Sequence, residues 1–190
     1  MQKKIIKSIF TVLLMVILTV SAVGCKKVSE DEAMSLVKDL VSRSYNLNVV
    51  YYGEGLKYKD NGNSNSIYMP VLETEKYALK SVLVKETYEV FSETYAISLV
   101  DMAFNGIASE INQNAIQARY IVYGDDDLIH VNKEYKPVVD KVSQYNFETT
   151  KITKISRRFI EATIYTTENK EVEITLIKEN NEWRLDSITC

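Results

Sequence analysis

The chain of 190 residues is poor in the side chains that most chemistry depends on, with one histidine, two cysteines, one tryptophan and six glycines. A single histidine, His130, excludes any site with two histidine ligands and leaves one imidazole as a candidate base. The glycines form no phosphate-cradling loop, and no Cys-x-x-Cys pair or His-Glu-x-x-His helix occurs. The cysteines, Cys25 and Cys190, are far apart in the chain. Basic charge is also in deficit. Without Lys3, Lys4 and Lys7 the remainder holds 20 basic against 26 acidic residues, a net charge of about −6. Such a body is expected to be repelled by nucleic acid and by anionic lipid.

What is present begins with Lys3, Lys4 and Lys7, an apolar run from Ile9 to Val20, and the small-residue segment Ser21 to Gly24. This is the three-part layout of a secretory signal, too short and too one-sidedly flanked for a permanent span of about 20 residues. Ala22, Val23, Gly24 and Cys25 resemble the lipobox of bacterial lipoproteins. The resemblance implies acylation of the Cys25 thiol, cleavage before it, and a mature protein held by lipid on the outer face of the cell membrane. Each buried acyl CH₂ contributes roughly 0.8 kcal/mol, so two or three chains on one residue anchor firmly. Residues 1–24 are then a signal peptide, 25–29 a lipidated tether and 30–190 one domain. With Cys25 consumed, Cys190 has no internal partner. It either cross-links or does redox work, or it is a frayed, exposed terminal thiol.

Ser29 and Glu32 have capping-box spacing, and Ala33, Leu36, Val37, Leu40, Val41 and Tyr45 recur at helical spacing, predicting a helix over 30–45. Leu47 to Tyr52 reads as a strand, broken by Gly53 and Gly55. Asp60 to Ser66 reads as a loop, and Ile67 to Leu72 as extended chain that Pro70 confines to an edge. Tyr77, Val82 and Leu83 mark one short helix. Val90, Phe91, Ile97, Val100, Ala103 and Phe104 mark a second, stopping at Asn105 and Gly106. The last 75 residues read as β: a hairpin from Ile116 to Val131 turning at Gly124 to Asp127, then strands at 147–155, 159–166, 172–178 and 182–188. Helices followed by an antiparallel meander predict an α+β domain with its N-terminal helices packed on one face of a curved sheet.

Candidate chemistry is sparse. His130, between Ile129 and Val131, is either a proton acceptor or a half-exposed strand residue. Asp125, Asp126 and Asp127 suit either a calcium ion or a solvated turn, where aspartate bonds its own backbone. No metal or cofactor is expected. Tyrosine is the abundant type, with 13 copies. Tyr51, Tyr52, Tyr58 and Tyr68 gather in the first extended region, as a contact patch for a partner or as strand packing.

The order of pieces, closing on Asn180, Asn181, Glu182, Trp183, Arg184, Leu185, Asp186 and Ser187, resembles the cystatin-like and nuclear-transport-factor-like α+β cones. Glu32 to Asp39, Gly53 to Gly55 with the polar loop after it, Tyr68 to Leu72 and the helical region from Thr74 resemble the IseA-type inhibitors of cell-wall DL-endopeptidases. The anchor, the acidic body and the missing active site predict a non-enzymatic, membrane-anchored envelope binding protein, and that resemblance implies that it regulates or inhibits a partner such as a peptidoglycan hydrolase. A cone of this kind also suits a small lipid or wall fragment held between helices and sheet.

Overall fold

The computed structural model describes residues 27–60, 62, 66–106 and 117–190. Cys25, the signal segment and Ile116 lie outside them. Three helices and two antiparallel sheets make an α+β fold.

Helix α1, Glu30–Tyr51, starts where Ser29 accepts the Glu32 N–H on its hydroxyl, with Glu30, Asp31 and Glu32 in the first turn favouring the positive end of the helix dipole. It does not stop near residue 45. Ala33, Val37, Leu40, Val41, Ser44, Leu47, Asn48 and Tyr51 form one buried stripe at three- and four-residue steps. The predicted strand 47–52 is therefore the last turns of the helix. Burial of Leu47, Val50 and Tyr51 outweighs the small helix penalty of the β-branched Val49 and Val50. The stop comes at Gly53 and Gly55, whose N–H groups close onto the carbonyls of Asn48 and Val49.

Helix α2, Lys80–Val90, and helix α3, Glu93–Asn105, are separated at Phe91 and Ser92. Periodicity alone runs Val90 and Phe91 into the second helix. In the structure both are fully buried at the joint, and Ser92 caps α3 by accepting the Tyr95 N–H. The expected stop at Gly106 holds, with φ +75° there.

Strands β1, Tyr68–Pro70, β2, Tyr120–Ile121, and β3, His130–Asn132, form a small sheet in the order β1-β3-β2. The expected hairpin thus survives only as Tyr120 opposite Val131 and Ile121 opposite His130. Pro70 does sit on an edge strand. The main sheet is β4, Tyr145–Ile155, β5, Phe159–Thr166, β6, Glu171–Glu179, and β7, Glu182–Leu185, in sequential order with β4 and β7 at its edges. Ile160, Ala162, Ile164, Ile174, Leu176 and Leu185 face inward and join Val37, Leu47, Tyr51, Phe91 and Leu99 from the helices in one core. The last strand ends at Leu185, short of Ile188: Asp186 still donates to the Thr175 carbonyl in register, but the Thr175 N–H is taken by the Ser187 hydroxyl at 3.2 Å, and Ile188 is left 62% exposed.

The chain beyond β7 is not frayed. Thr189 is buried, its hydroxyl 2.9 Å from Ser44 Oγ, and Asn48 Nδ2 donates to both its carbonyl and its hydroxyl at 2.8 Å. Cys190 is consequently half-buried rather than an exposed terminal thiol, and burial raises its pKa.

Candidate partner-binding surface

The four tyrosines picked out in the sequence do not form one patch. Tyr51 is fully buried on α1, its hydroxyl 2.7 Å from Thr87 Oγ1, so it is a core residue that no partner can touch. Burial pushes its pKa far up. Tyr52, just past the helix, is half-buried with its hydroxyl 3.2 Å from that of Tyr95; burial raises both. Tyr58 is exposed, and Tyr68 on β1 is partly exposed and donates to the Ala118 carbonyl at 3.0 Å. Tyr58 presents the most surface, Tyr52 and Tyr68 present part of theirs, and Tyr51 none. The separation follows from the helix: once 47–52 is helical, Tyr51 belongs to the buried stripe and leaves the strand face.

The Asp125 to Asp127 turn has a structural use. Helix α2 begins at Leu79, whose own side chain cannot cap it. Asp127, from across the fold, accepts the Ser81 N–H at 3.1 Å and the Ser81 hydroxyl, while Asp126 accepts the Leu128 N–H at 3.1 Å. His130 is half-buried on β3, Nδ1 3.2 Å from the Leu128 carbonyl and its ring edge-on to Tyr123 at 4.7 Å. Among the described residues no group of three or more histidine, cysteine or carboxylate side chains could hold a metal ion. None of the described helices is long and apolar enough to cross a membrane.

One charged residue is placed where sequence alternation did not put it. Arg119 is 2% exposed and donates to the carbonyls of Tyr51 at 3.0 Å and Gly53 at 2.6 Å, satisfying acceptors at the end of α1. Its guanidinium carbon lies 5.0 Å from the Tyr135 ring centre and 5.5 Å from that of Tyr120. Its Nε has no hydrogen-bond partner.

A surface feature with two adjoining grooves lies between α1 and β4. Strand β4 pairs with β5 at Tyr145 and Asn146, then resumes only at Lys151 opposite Thr163, so residues 147–150 bulge out of the ladder. Polar side chains replace the missing ladder bonds. Asn146 Oδ1 accepts from the Glu148 N–H, Thr149 Oγ1 donates to the Asn146 carbonyl and accepts the Tyr165 N–H, and Thr150 Oγ1 donates to the Phe147 carbonyl. A bulge re-aims side chains and breaks the pairing pattern on its strand. Here it faces Phe147 to α1.

Two open grooves share Phe147. One, about 340 Å³, lies between Met34, Ser35 and Lys38 of α1 and Phe147, Glu148 and Thr150. The other, about 290 Å³, lies between Val41, Ser42 and Tyr45 and Gln144, Tyr145 and Phe147. A third depression, about 420 Å³, is polar, lined by Gln117, Asn132, Glu134, Tyr135 and Lys136. No sequence pattern marks the bulge, because it depends on register against β5. Position 147 could only be read as a strand residue.

No protein-family model matches this chain. No curated protein is similar to it.

Proposed function

We propose that this chain is a membrane-anchored, non-enzymatic binding protein of the cell envelope, and that its partner is another protein, docking along the α1–β4 groove. The observation that carries this reading is the edge of β4. It is an 11-residue strand at the end of its sheet, with no strand paired to its outer side among the described residues, and its bulge sets Phe147 beside an open groove with an apolar floor. Extended peptides add to free sheet edges through main-chain hydrogen bonds, and neighbouring side-chain grooves supply selectivity. A groove that combines Met34, Phe147 and Tyr145 with Lys38 and Glu148 has the apolar-centre, polar-rim make-up of a protein interface.

The filled interior gives less support to the small-ligand alternative. Tyr51, Phe91, Leu47, Ile160 and Leu176 close the space between helices and sheet, each with at most 1% of its surface exposed. The envelope location rests on the lipobox-like Ala22 to Cys25, and the nature of the partner, a peptidoglycan hydrolase whose cleft is covered, on the outline resemblance to hydrolase inhibitors.

The test combines the purified protein with wall-lytic enzymes and measures binding and lysis. Slowed lysis, lost on Phe147→Glu with the fold intact, is the expected result. Neither binding nor altered lysis would remove the inhibitor reading. Cys25→Ser is expected to release the protein from the membrane fraction, and retention there would remove the anchor.

A further inference from the structure

The body of the protein is acidic, yet its basic residues are unevenly placed. Lys151, Lys154, Arg157 and Arg158 crowd into the β4–β5 hairpin, and all four are exposed. Lys154 pairs with Glu161 at 3.6 Å and lies over the Phe159 ring. Among the described residues Lys151, Arg157 and Arg158 have no ion-pair partner, so their charge is directed to solvent. The turn is held in one shape by Ser156, whose hydroxyl accepts the Arg158 and Phe159 N–H groups at 3.1 and 2.9 Å.

The position of this hairpin follows from how α1 lies beside β4. Met34, Ser35 and Lys38 meet Phe147, Glu148 and Thr150, and one to three turns further along Val41, Ser42 and Tyr45 meet Gln144, Tyr145 and Phe147. The two elements therefore run in opposite directions. Beyond Thr150, β4 continues to Ile155, roughly 16 Å at about 3.3 Å per residue. Beyond Met34, α1 has only the residues back to Glu30, roughly 6 Å at 1.5 Å per residue. The hairpin thus projects past the start of α1, at the end of the domain from which Lys27 and Lys26 lead back to Cys25.

Some acidic groups at this end are set back or engaged, while Glu93 is exposed. Glu30, Asp31 and Glu32 occupy the first turn of α1, behind the hairpin tip. In the adjacent β6–β7 turn, Glu179 accepts the Glu93 N–H at 3.0 Å and Glu182 pairs with Arg184.

We propose that the β4–β5 hairpin is a second membrane contact, with Lys154, Arg157 and Arg158 at its tip resting on the headgroup phosphates of an anionic phospholipid leaflet. This rests on the lipid-anchored reading of Cys25 and goes beyond it. A single point of attachment fixes only the height of the domain, whereas tether and hairpin together fix its tilt and so the direction in which the α1–β4 groove faces. Charge complementarity selects the partner surface: each basic residue near an anionic leaflet strengthens binding about fivefold, and the contribution falls off within a Debye length. The net negative charge of the body opposes this contact, but its repulsion is screened beyond a Debye length, and the hairpin meets the surface first.

Trp183, the sole tryptophan, is a built-in reporter. It pairs with Lys178, whose N–H donates to the Arg158 carbonyl at 2.8 Å, so it lies beside the hairpin. The full-length lipidated protein is reconstituted into vesicles carrying headgroup-nitroxide lipid, either in pure phosphatidylcholine or with about one-third phosphatidylglycerol, a charge density that attracts basic clusters. Quenching of Trp183 is expected to be at least about twofold greater with phosphatidylglycerol, and to fall to the neutral-vesicle level in about 0.5 M salt. Replacing Lys154, Arg157 and Arg158 together by Glu should remove the difference, with unquenched Trp183 emission and circular dichroism reporting an unchanged fold; replacement by Gln serves if Glu perturbs it. Equal quenching in the two vesicles, or a variant quenched like the parent chain, overturns the proposal. Flotation with pure phosphatidylcholine reads the anchor separately: failure to float there with quenching still dependent on phosphatidylglycerol refutes the anchor and supports the hairpin.

Discussion

The Arg119 guanidinium donates to the main-chain carbonyl of Tyr51 at 3.0 Å, joining two residues that are 68 positions apart and both buried. A cation from the residue just before β2 thereby closes the C-terminal end of the first helix, which has no basic residue of its own in its last turn. Replacing Arg119 by Met should destabilise the protein by about 3 kcal/mol, because two buried carbonyls lose their donors. Gly55→Ala should act through the same contact. Its Cβ would sit 2.4 Å from Arg119 Nη2, at a φ of +84° that disfavours side chains, and a loss of about 2 kcal/mol is expected. Urea denaturation followed by circular dichroism measures both; losses below about 0.5 kcal/mol would show that the guanidinium is dispensable.

Asn48 holds the C-terminal segment through Thr189. Asn48→Ala should cost about 2 kcal/mol and free the last residues. The reaction of Cys190 with a thiol reagent at mildly alkaline pH separates this from a local effect. The thiol should react slowly in the parent chain, where burial raises its pKa, and markedly faster in Asn48→Ala. Equal rates would mean that Thr189 does not position Cys190.

Alkaline pH should unfold the protein in a defined window. Burial pushes Tyr120 and Tyr145 up to about 12 from an ordinary value of 10, and Tyr51 and Tyr95 higher still. A folded-state pKa above the unfolded one means that the folded state keeps the proton more tightly. The contribution to stability is complete below pH 10 and is lost as pH rises from 10 through 12 and above. Tyrosinate absorbance and circular dichroism followed together should show these rings ionising with unfolding. Full ionisation near pH 10 with the fold intact would contradict their burial.

Asp127 should matter where Asp125 does not. Asp127→Ala removes the acceptor at the start of α2 and should cost about 1 kcal/mol, whereas Asp125→Ala should stay within about 0.5 kcal/mol. Thermal melts of the two variants distinguish a helix cap from a generally acidic turn, and equal shifts would rule the cap out.

Much of the secondary structure was legible because it follows from local spacing. Ser29 capping α1, Gly106 ending α3, Pro70 on an edge and the strands β4 to β6 all depend on residues within a few positions of one another. The end of α1 was not legible, since Leu47 to Tyr52 suits strand or helix equally and only the core contacts of Tyr51 decide between them.

The amino-acid order by itself determined the α+β class and the strands β4 to β6 of the main sheet. Only the tertiary structure decided where charge and surface fall. It buried Tyr51 and Arg119, engaged Asp127 as a cap, and drew the 147–150 bulge from the register against β5. It also placed the basic hairpin beyond the start of α1. The reason is physical: periodicity reports which residues share a face of one element, while burial and pairing depend on which other element that face meets.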